Sequence, residues 1–293
     1  MSFVEEEIAS QPACWRRAAA LATRLSAALP GKGRRVAILG CGTSWFVAQA
    51  MASLREATGH GETDAFAASE VPMGRRYDSV ITLSRSGTTS EVLAAAEALA
   101  GTTTVAITAD GSAPLAALTD RAIVLDFADE RSVIQTRFAT TVLALLRAHL
   151  GHALDLAAVD AEDALEAPLP ETPADVAFLG TEWRVGLARE AALKVREAAA
   201  LPSEAHPAME YRHGPISAAG RSTLVWALGP LPAALAADVE RTGARLERST
   251  RDPMAELVRV QRFAVLERPV LDERPGRLLI VGDGGERAGS FQR

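Results

Sequence analysis

The sequence predicts an α/β fold built from parallel sheet wrapped by helices on both faces. Short apolar runs alternate with longer helix-periodic runs, the joints between them carry Gly, Ser and Thr, and the alternation restarts after a proline-rich break. The first apolar run, RRVAILG (34–40), leads into GCGTS (40–44) and the helical pattern 45–57. DSVITLS (78–84) leads into RSGTT and a helix over 91–100. TTTVAIT (102–108) precedes the loop ADGSAP, and AIVLDF (122–127) precedes a helix within 133–150. An alanine- and leucine-rich helix over 14–29, stopped by Pro30-Gly31, comes before all of these.

The segment 163–175, DALEAPLPETPAD, has three prolines and reads as the linker. Beyond it come strands over 176–180 and 222–229, a strong helix over 186–200 and another over 233–248. Two related α/β halves are expected, divided into residues 1–165 and 166–293, the second the shorter. GTEWR (180–184) takes the place of GCGTS in it, a match of position more than of sequence.

Composition narrows the function. The 293 residues are 48% hydrophobic, enough for a full core, and the net charge of −6 argues against nucleic acid or an anionic membrane as partner. Two cysteines, Cys14 and Cys41, make neither a disulfide framework nor a metal site, and fit a reducing, cytoplasmic setting. The apolar stretch 224–237 is broken by Gly229, Pro230 and Pro232 and does not read as a membrane span. No metal or other cofactor is called for.

The loops carry the chemistry. A tight turn between a strand end and a helix start aims free N–H groups at one point, and Ser84, Ser86, Thr88 and Thr89 add hydroxyls there while Gly87 permits close approach. The plainer reading is a capping box from Thr88 to Glu91. Two such loops, GCGTS and SRSGTT, at one edge of a parallel sheet favour a bound phosphate. GCGTSW lacks the third glycine of a dinucleotide loop, and no Walker lysine follows either loop. On the helix 186–200, Glu190, Lys194 and Glu197 share a face; alone they would be a solvated pair, but their alanine-rich surroundings turn that polar stripe toward a cleft, a partner or water.

Taken in order, GCGTS, LSRSGTTSEV, SVIQTR and ALKVREAAALPSEAHPAMEYRHGP resemble the sugar isomerase (SIS) domain proteins, over about residues 35–260. The likeness is strongest to the isomerase half of glucosamine-6-phosphate synthase and to stand-alone amino-sugar-phosphate deaminases and isomerases. It implies two tandem SIS domains, each flavodoxin-like, and a homodimer that binds a sugar 6-phosphate at a site shared between subunits. By this resemblance Ser44, Ser84, Ser86 and Thr89 are phosphate ligands, with Arg85 in place of the synthase's glutamine. Gly42, Thr43, Val133 and Gln135 line the sugar. Glu197 is the base that moves a proton between C1 and C2, His213 of a neighbouring subunit opens the ring, Glu210 supports it, and Lys194 offers a charge or an amine. His206 reads as surface.

Two departures set limits. The synthase's glutaminase part has no counterpart ahead of the first SIS domain, which implies a nitrogen source other than glutamine; no helix-turn-helix precedes it either. The end of the chain, 271–293, lacks the synthase's lysine and reads as a strand, RLLIVG, with a glycine-rich turn. The expected function is a phosphosugar isomerase or deaminase acting on an amino-sugar or ketosamine 6-phosphate, the alternative being a non-catalytic sugar-phosphate-binding regulator.

Overall fold

A computed structural model describes residues 2–267. The RLLIVG strand read at the end of the chain lies outside them.

Two all-parallel sheets organise the chain. The first has strands β1 (Val36–Gly40), β2 (Thr63–Ala67), β3 (Ser79–Leu83), β4 (Thr103–Thr108) and β5 (Arg121–Val124) in the order β2-β1-β3-β4-β5. The second has β6 (Asp175–Gly180), β7 (Ser203–Pro207), β8 (Thr223–Ala227) and β9 (Arg245–Glu247) in the order β7-β6-β8-β9. The second order repeats the first with one edge strand fewer among the described residues. In each sheet the chain leaves its first strand to one side and later returns to the other, which leaves a crevice at the carboxyl edge between β1 and β3 and another between β6 and β8.

The helices are α1 (Phe3–Ala9), α2 (Gln11–Leu25), α3 (Thr43–Ala57), α4 (Ser90–Ala98), α5 (Pro114–Leu118), α6 (Arg137–His149), α7 (Asp155–Glu166), α8 (Arg184–Lys194), α9 (Ala233–Thr242) and α10 (Pro253–Leu266). Side-chain alternation in the central strands decides how they layer. Val36 and Ile38 of β1 and Phe178 and Trp226 of the second sheet turn into one core with α2, α3, α6, α7, α8 and α10. Ala37, Leu39 and Val80 face the other way onto α4 and α5, while Leu179 and Val225 face α9. The two sheets therefore sandwich a shared helical layer, which is why their central strands are buried on both faces and apolar throughout.

Polar groups inside this layer are paired across the chain. Trp15 Nε1 donates to Thr140 Oγ1 (3.0 Å), Gln11 Nε2 to Gln261 Oε1 (2.7 Å) and Trp226 Nε1 to the buried Glu256 (2.8 Å). The proposed linker is helical up to Glu166 and is then pinned to α10, whose Arg259 and Arg262 donate to the carbonyls of Pro168 and Ala167. The helix expected over 233–248 stops at Thr242, where Gly243 takes a left-handed φ of 83°, and β9 follows. The helix expected over 186–200 is α-helical only to Lys194 and continues as a π turn, Val195–Ala199. Among the described residues no helix is long and apolar enough to cross a membrane.

Candidate functional site

The first sheet presents its two hydroxyl-rich loops side by side, because β1 and β3 are hydrogen-bonded neighbours. At the end of β1 a Cβ on Gly40 would lie 2.7 Å from the Ser44 carbonyl carbon, so glycine is what lets the chain turn straight into α3. Gly42, with φ 51°, precedes the helix without a side-chain cap, and Thr43 and Ser44 are buried in its first turn. After β3, Ser84 Oγ accepts from Gly87 N (3.1 Å) and lies 2.9 Å from Thr89 Oγ1. Ser86 Oγ accepts from the Thr88 amide (3.3 Å) and hydroxyl (2.9 Å). Thr88 and Glu91 do not form the capping box read from the sequence: α4 starts one residue later, its cap position is Thr89, and the Thr89 hydroxyl is spent on Ser84.

Arg85 reaches sideways. Its guanidinium contacts Asp129 Oδ1 (3.2 Å) and the Glu130 carbonyl (2.6 Å), tying this loop to the turn before α6. There the Glu130 carboxylate accepts from the amides of Thr136 (2.5 Å) and Arg137 (2.8 Å) and from the Thr136 hydroxyl (2.9 Å). Burial pushes the Glu130 carboxyl above its usual range, against the pull of those hydrogen bonds. Between them, Val133 is exposed and Gln135 Oε1 is buried with no hydrogen-bond partner among the described residues.

The second half contributes through α8, which crosses α3 at close range. Cβ on Gly186 would stand 2.6 Å from the Phe46 carbonyl and 2.7 Å from the Ala50 amide, so the backbones nearly touch. Arg189 donates to Gln49 across the same crossing. One turn further on, Thr43 Oγ1 donates to Glu190 Oε1 (3.4 Å), and Gly42 sits against Leu193. Lys194 Nζ lies 3.5 Å from Glu190 Oε1 and 2.5 Å from Glu197 Oε2.

Glu190 and Lys194 are each only 1% exposed, which rules out the solvated pair; Glu197 sits at the boundary with solvent. Burial pushes the Glu190 carboxyl up to about 7, the neighbouring Lys194 opposing and Glu197 reinforcing. Burial would lower the Lys194 ammonium, but the charges of Glu190 and Glu197 hold it above its usual range. One ammonium thus serves two carboxylates, and the cluster keeps a proton that can be exchanged near neutrality. Among the described residues Glu190 Oε2 is buried with no hydrogen-bond partner.

The π turn carries Glu197 and ends at Ala200 with φ 54°. Such turns widen a helix by one residue and recur where a side chain is re-aimed.

His213 stands apart. It projects from an exposed turn after the 3-10 segment Ala208–Arg212, next to Gly214 at φ 129°, and among the described residues its side chain makes no hydrogen bond to the cluster. Glu210 is exposed in the same segment. His206, read as surface, is half-buried on β7 against the Tyr211 ring. Glu130 escaped the sequence reading, and Glu190 was placed on the right face without a role; the acidic residue six ahead of Thr136 was the available signal for Glu130.

Residues 31–150, which hold both loops and α3, match the family model of the SIS domain. That part of the chain is similar to the SIS domain. Its curated relative, the glutamine–fructose-6-phosphate aminotransferase (isomerizing) of Caulobacter vibrioides, is 29% identical over 78% of this chain, which spans 44% of that relative's length. Among solved structures, the glucosamine-6-phosphate deaminase of Thermotoga maritima superposes with a TM-score of 0.76 at 22% identity, covering 91% of this chain and 94% of that one. The tagatose-6-phosphate ketose/aldose isomerase of Escherichia coli gives 0.74 at 23% identity, covering 91% and 92%. At these identities the solved structures show the fold alone, and the matched residues 31–150 form the first sheet with helices α3 to α6.

Proposed function

We propose that this protein is a phosphosugar isomerase or deaminase acting on an amino-sugar or ketosamine 6-phosphate. The observation that supports the reading is the contact between Thr43, in the loop after β1, and Glu190, which brings a hydroxyl-bearing loop of the first sheet against the Glu190–Lys194–Glu197 cluster. In this reading the chain is a tandem of two SIS-type units, residues 1–165 and 166–293, closed on the shared helical layer.

The phosphate lies in the turn formed by Ser84, Ser86 and Thr89, with Ser44 beside it, and anchors the substrate so that C1 and C2 reach Glu197. Arg85, bound to Asp129 and Glu130, positions that turn and adds positive charge behind it. Gly42, Thr43, Val133 and Gln135 line the sugar, and the unpartnered Gln135 oxygen accepts from a hydroxyl. Glu197 takes the proton from C2 of the open-chain aldose and returns it to C1; on an amino sugar the C2 imine that results is hydrolysed by water, which releases ammonia. Lys194 fixes Glu197 in place, and Glu190 balances the charge as Glu197 gains and loses its proton. His213 of a second copy assists ring opening in a homodimer, since its own chain leaves it at an exposed turn.

The test is ammonia release or aldose–ketose exchange with purified protein over a panel of hexosamine 6-phosphates, comparing wild type with Glu197→Gln. Activity in the wild type and its loss in the variant support the reading; equal rates in both remove the mechanism.

A further inference from the structure

The second sheet holds a cavity of about 700 Å³ at its own carboxyl edge, lined by Gly229 after β8, by Arg248 to Arg251 after β9, and by Asp160 and Asp163 of α7. An adjoining lobe reaches Arg184 at the start of α8. The lobe lies between the loops after β6 and β8, the place that corresponds in the first sheet to the hydroxyl-rich loops, and the main cavity opens beside it between the loops after β8 and β9.

The local backbone is repeated there. Gly180, like Gly40, ends its strand with no room for a Cβ, which would come 2.4 Å from the carbonyl oxygen of Arg184, four residues on, as Gly40 meets Ser44. Glu182 has φ 54° where Gly42 has 51°, a left-handed conformation that a glutamate adopts only against strain. Arg184 therefore occupies the position held by Ser44 in the first sheet.

Its surroundings favour an anionic group. Gly229, at φ 123°, lets the Arg184 stem lie flat on the backbone, since a Cβ there would be 2.7 Å from Cδ and 2.8 Å from Nε. Among the described residues Arg184 Nε is buried without a hydrogen-bond partner, and its Nη1 has Glu182 at 3.1 Å and Thr181 at 3.4 Å. Among the described residues Arg248 has only an exposed contact with Glu240 at 4.0 Å, a pairing of little worth in water. Arg251 is engaged by Asp163 (2.6 Å) and Glu256 (3.4 Å). The carboxylates balance the guanidinium charge, so a bare anion gains less here than a ligand that also brings hydroxyl donors for Asp160 and Asp163.

We propose that this cavity is a second ligand site that takes a phosphorylated sugar or polyol. Its phosphate meets Arg184, Arg248 and the Ser249–Thr250 turn, and its hydroxyls meet Asp160 and Asp163. The site is independent of the proton chemistry in the first sheet.

Calorimetric titration of the full chain tests it, with fructose 6-phosphate, fructose and inorganic phosphate as probes. In a Ser84→Ala/Ser86→Ala background, which disables the first-sheet turn, fructose 6-phosphate still binds, and at least about tenfold tighter than fructose or phosphate alone. Adding Arg248→Ala, an exposed change that spares folding, weakens it by about tenfold or more, the effect of losing a charge-assisted contact; Arg184→Gln does the same. Loss of all binding in the serine double variant overturns the second site while leaving the first-sheet reading intact. Binding indifferent to both arginine changes, or phosphate binding as tightly as the sugar phosphate, also overturns it.

Discussion

Thr43 donates to Glu190 Oε1 across 3.4 Å, joining the loop that closes β1 to a helix 147 residues later in the chain. That bond, with the backbone crossing at Gly186, puts a carboxylate of the second half against the hydroxyl-bearing loops of the first. Three changes read out this arrangement, and a fourth reads out a separate buried histidine.

Glu190 gives stability an unusual pH slope. Its folded value, about 7, lies above the usual 4.5, so the fold favours the protonated acid. The stabilisation this supplies is full below about pH 4.5 and is lost as pH rises through 7. Urea denaturation of Glu190→Gln against wild type, from pH 4.5 to 8, is expected to show the variant gaining relative stability with pH, by up to about 3 kcal/mol. A constant difference across that range would contradict the assignment.

Lys194 is the only cation bonded to both carboxylates among the described residues. Lys194→Met leaves the buried Glu190 and the partly exposed Glu197 without their shared cation and is expected to cost about 3–5 kcal/mol. The double variant Lys194→Met/Glu190→Gln should recover part of that loss, which a double-mutant cycle measures.

Gly186→Ala sets two effects against each other. Alanine in a helix is favoured over glycine by about 1 kcal/mol, but its Cβ would meet backbone atoms at 2.6 and 2.7 Å that no rotamer change can move. The clash wins, so thermal denaturation should show net destabilisation of about 1–2 kcal/mol. If the Thr43–Glu190 contact serves the reaction, the KM for a sugar phosphate rises with it.

His149 supplies an acid-side weakness. Burial lowers its pKa, reinforced by His60 (ring centroids 6.4 Å apart) and Arg55, with the Pro30 carbonyl opposing. The fold favours the neutral ring, so stability falls as pH drops below about 6.5. His149→Gln should flatten this limb; because the ring is only half-buried, the effect is about 1 kcal/mol or less.

The sequence made the central strands visible because both of their faces are covered, which demands uninterrupted apolar runs such as VAILG and VAFLG. Of the four edge strands, β5 was found within AIVLDF, but the other three escaped it. β2 (TDAFA), β7 (SEAHP) and β9 (RLE) are short and half-exposed, and their polar composition carries no strand signal. Gly243 is the visible stop for α9, and the helix read over 233–248 runs through it. At the site, both loops and the Glu190–Lys194–Glu197 face were legible from spacing. Their meeting was not, since it depends on α3 and α8 packing in a layer shared by both halves, and nothing local records which helices touch. The Thr88 box failed for a related reason: clustered hydroxyls bonded to one another before they bonded to the helix amides.

The central claim is that a phosphate held by the first sheet delivers sugar carbons to Glu197. Proton NMR of hexose and hexosamine 6-phosphates incubated with the protein in heavy water tests it most directly, by following solvent deuterium into C1 or C2. The account predicts incorporation with the wild type, and rates lowered by about a hundredfold or more in Glu197→Gln and reduced in Ser84→Ala through weaker binding. Incorporation at an unchanged rate in Glu197→Gln would contradict it.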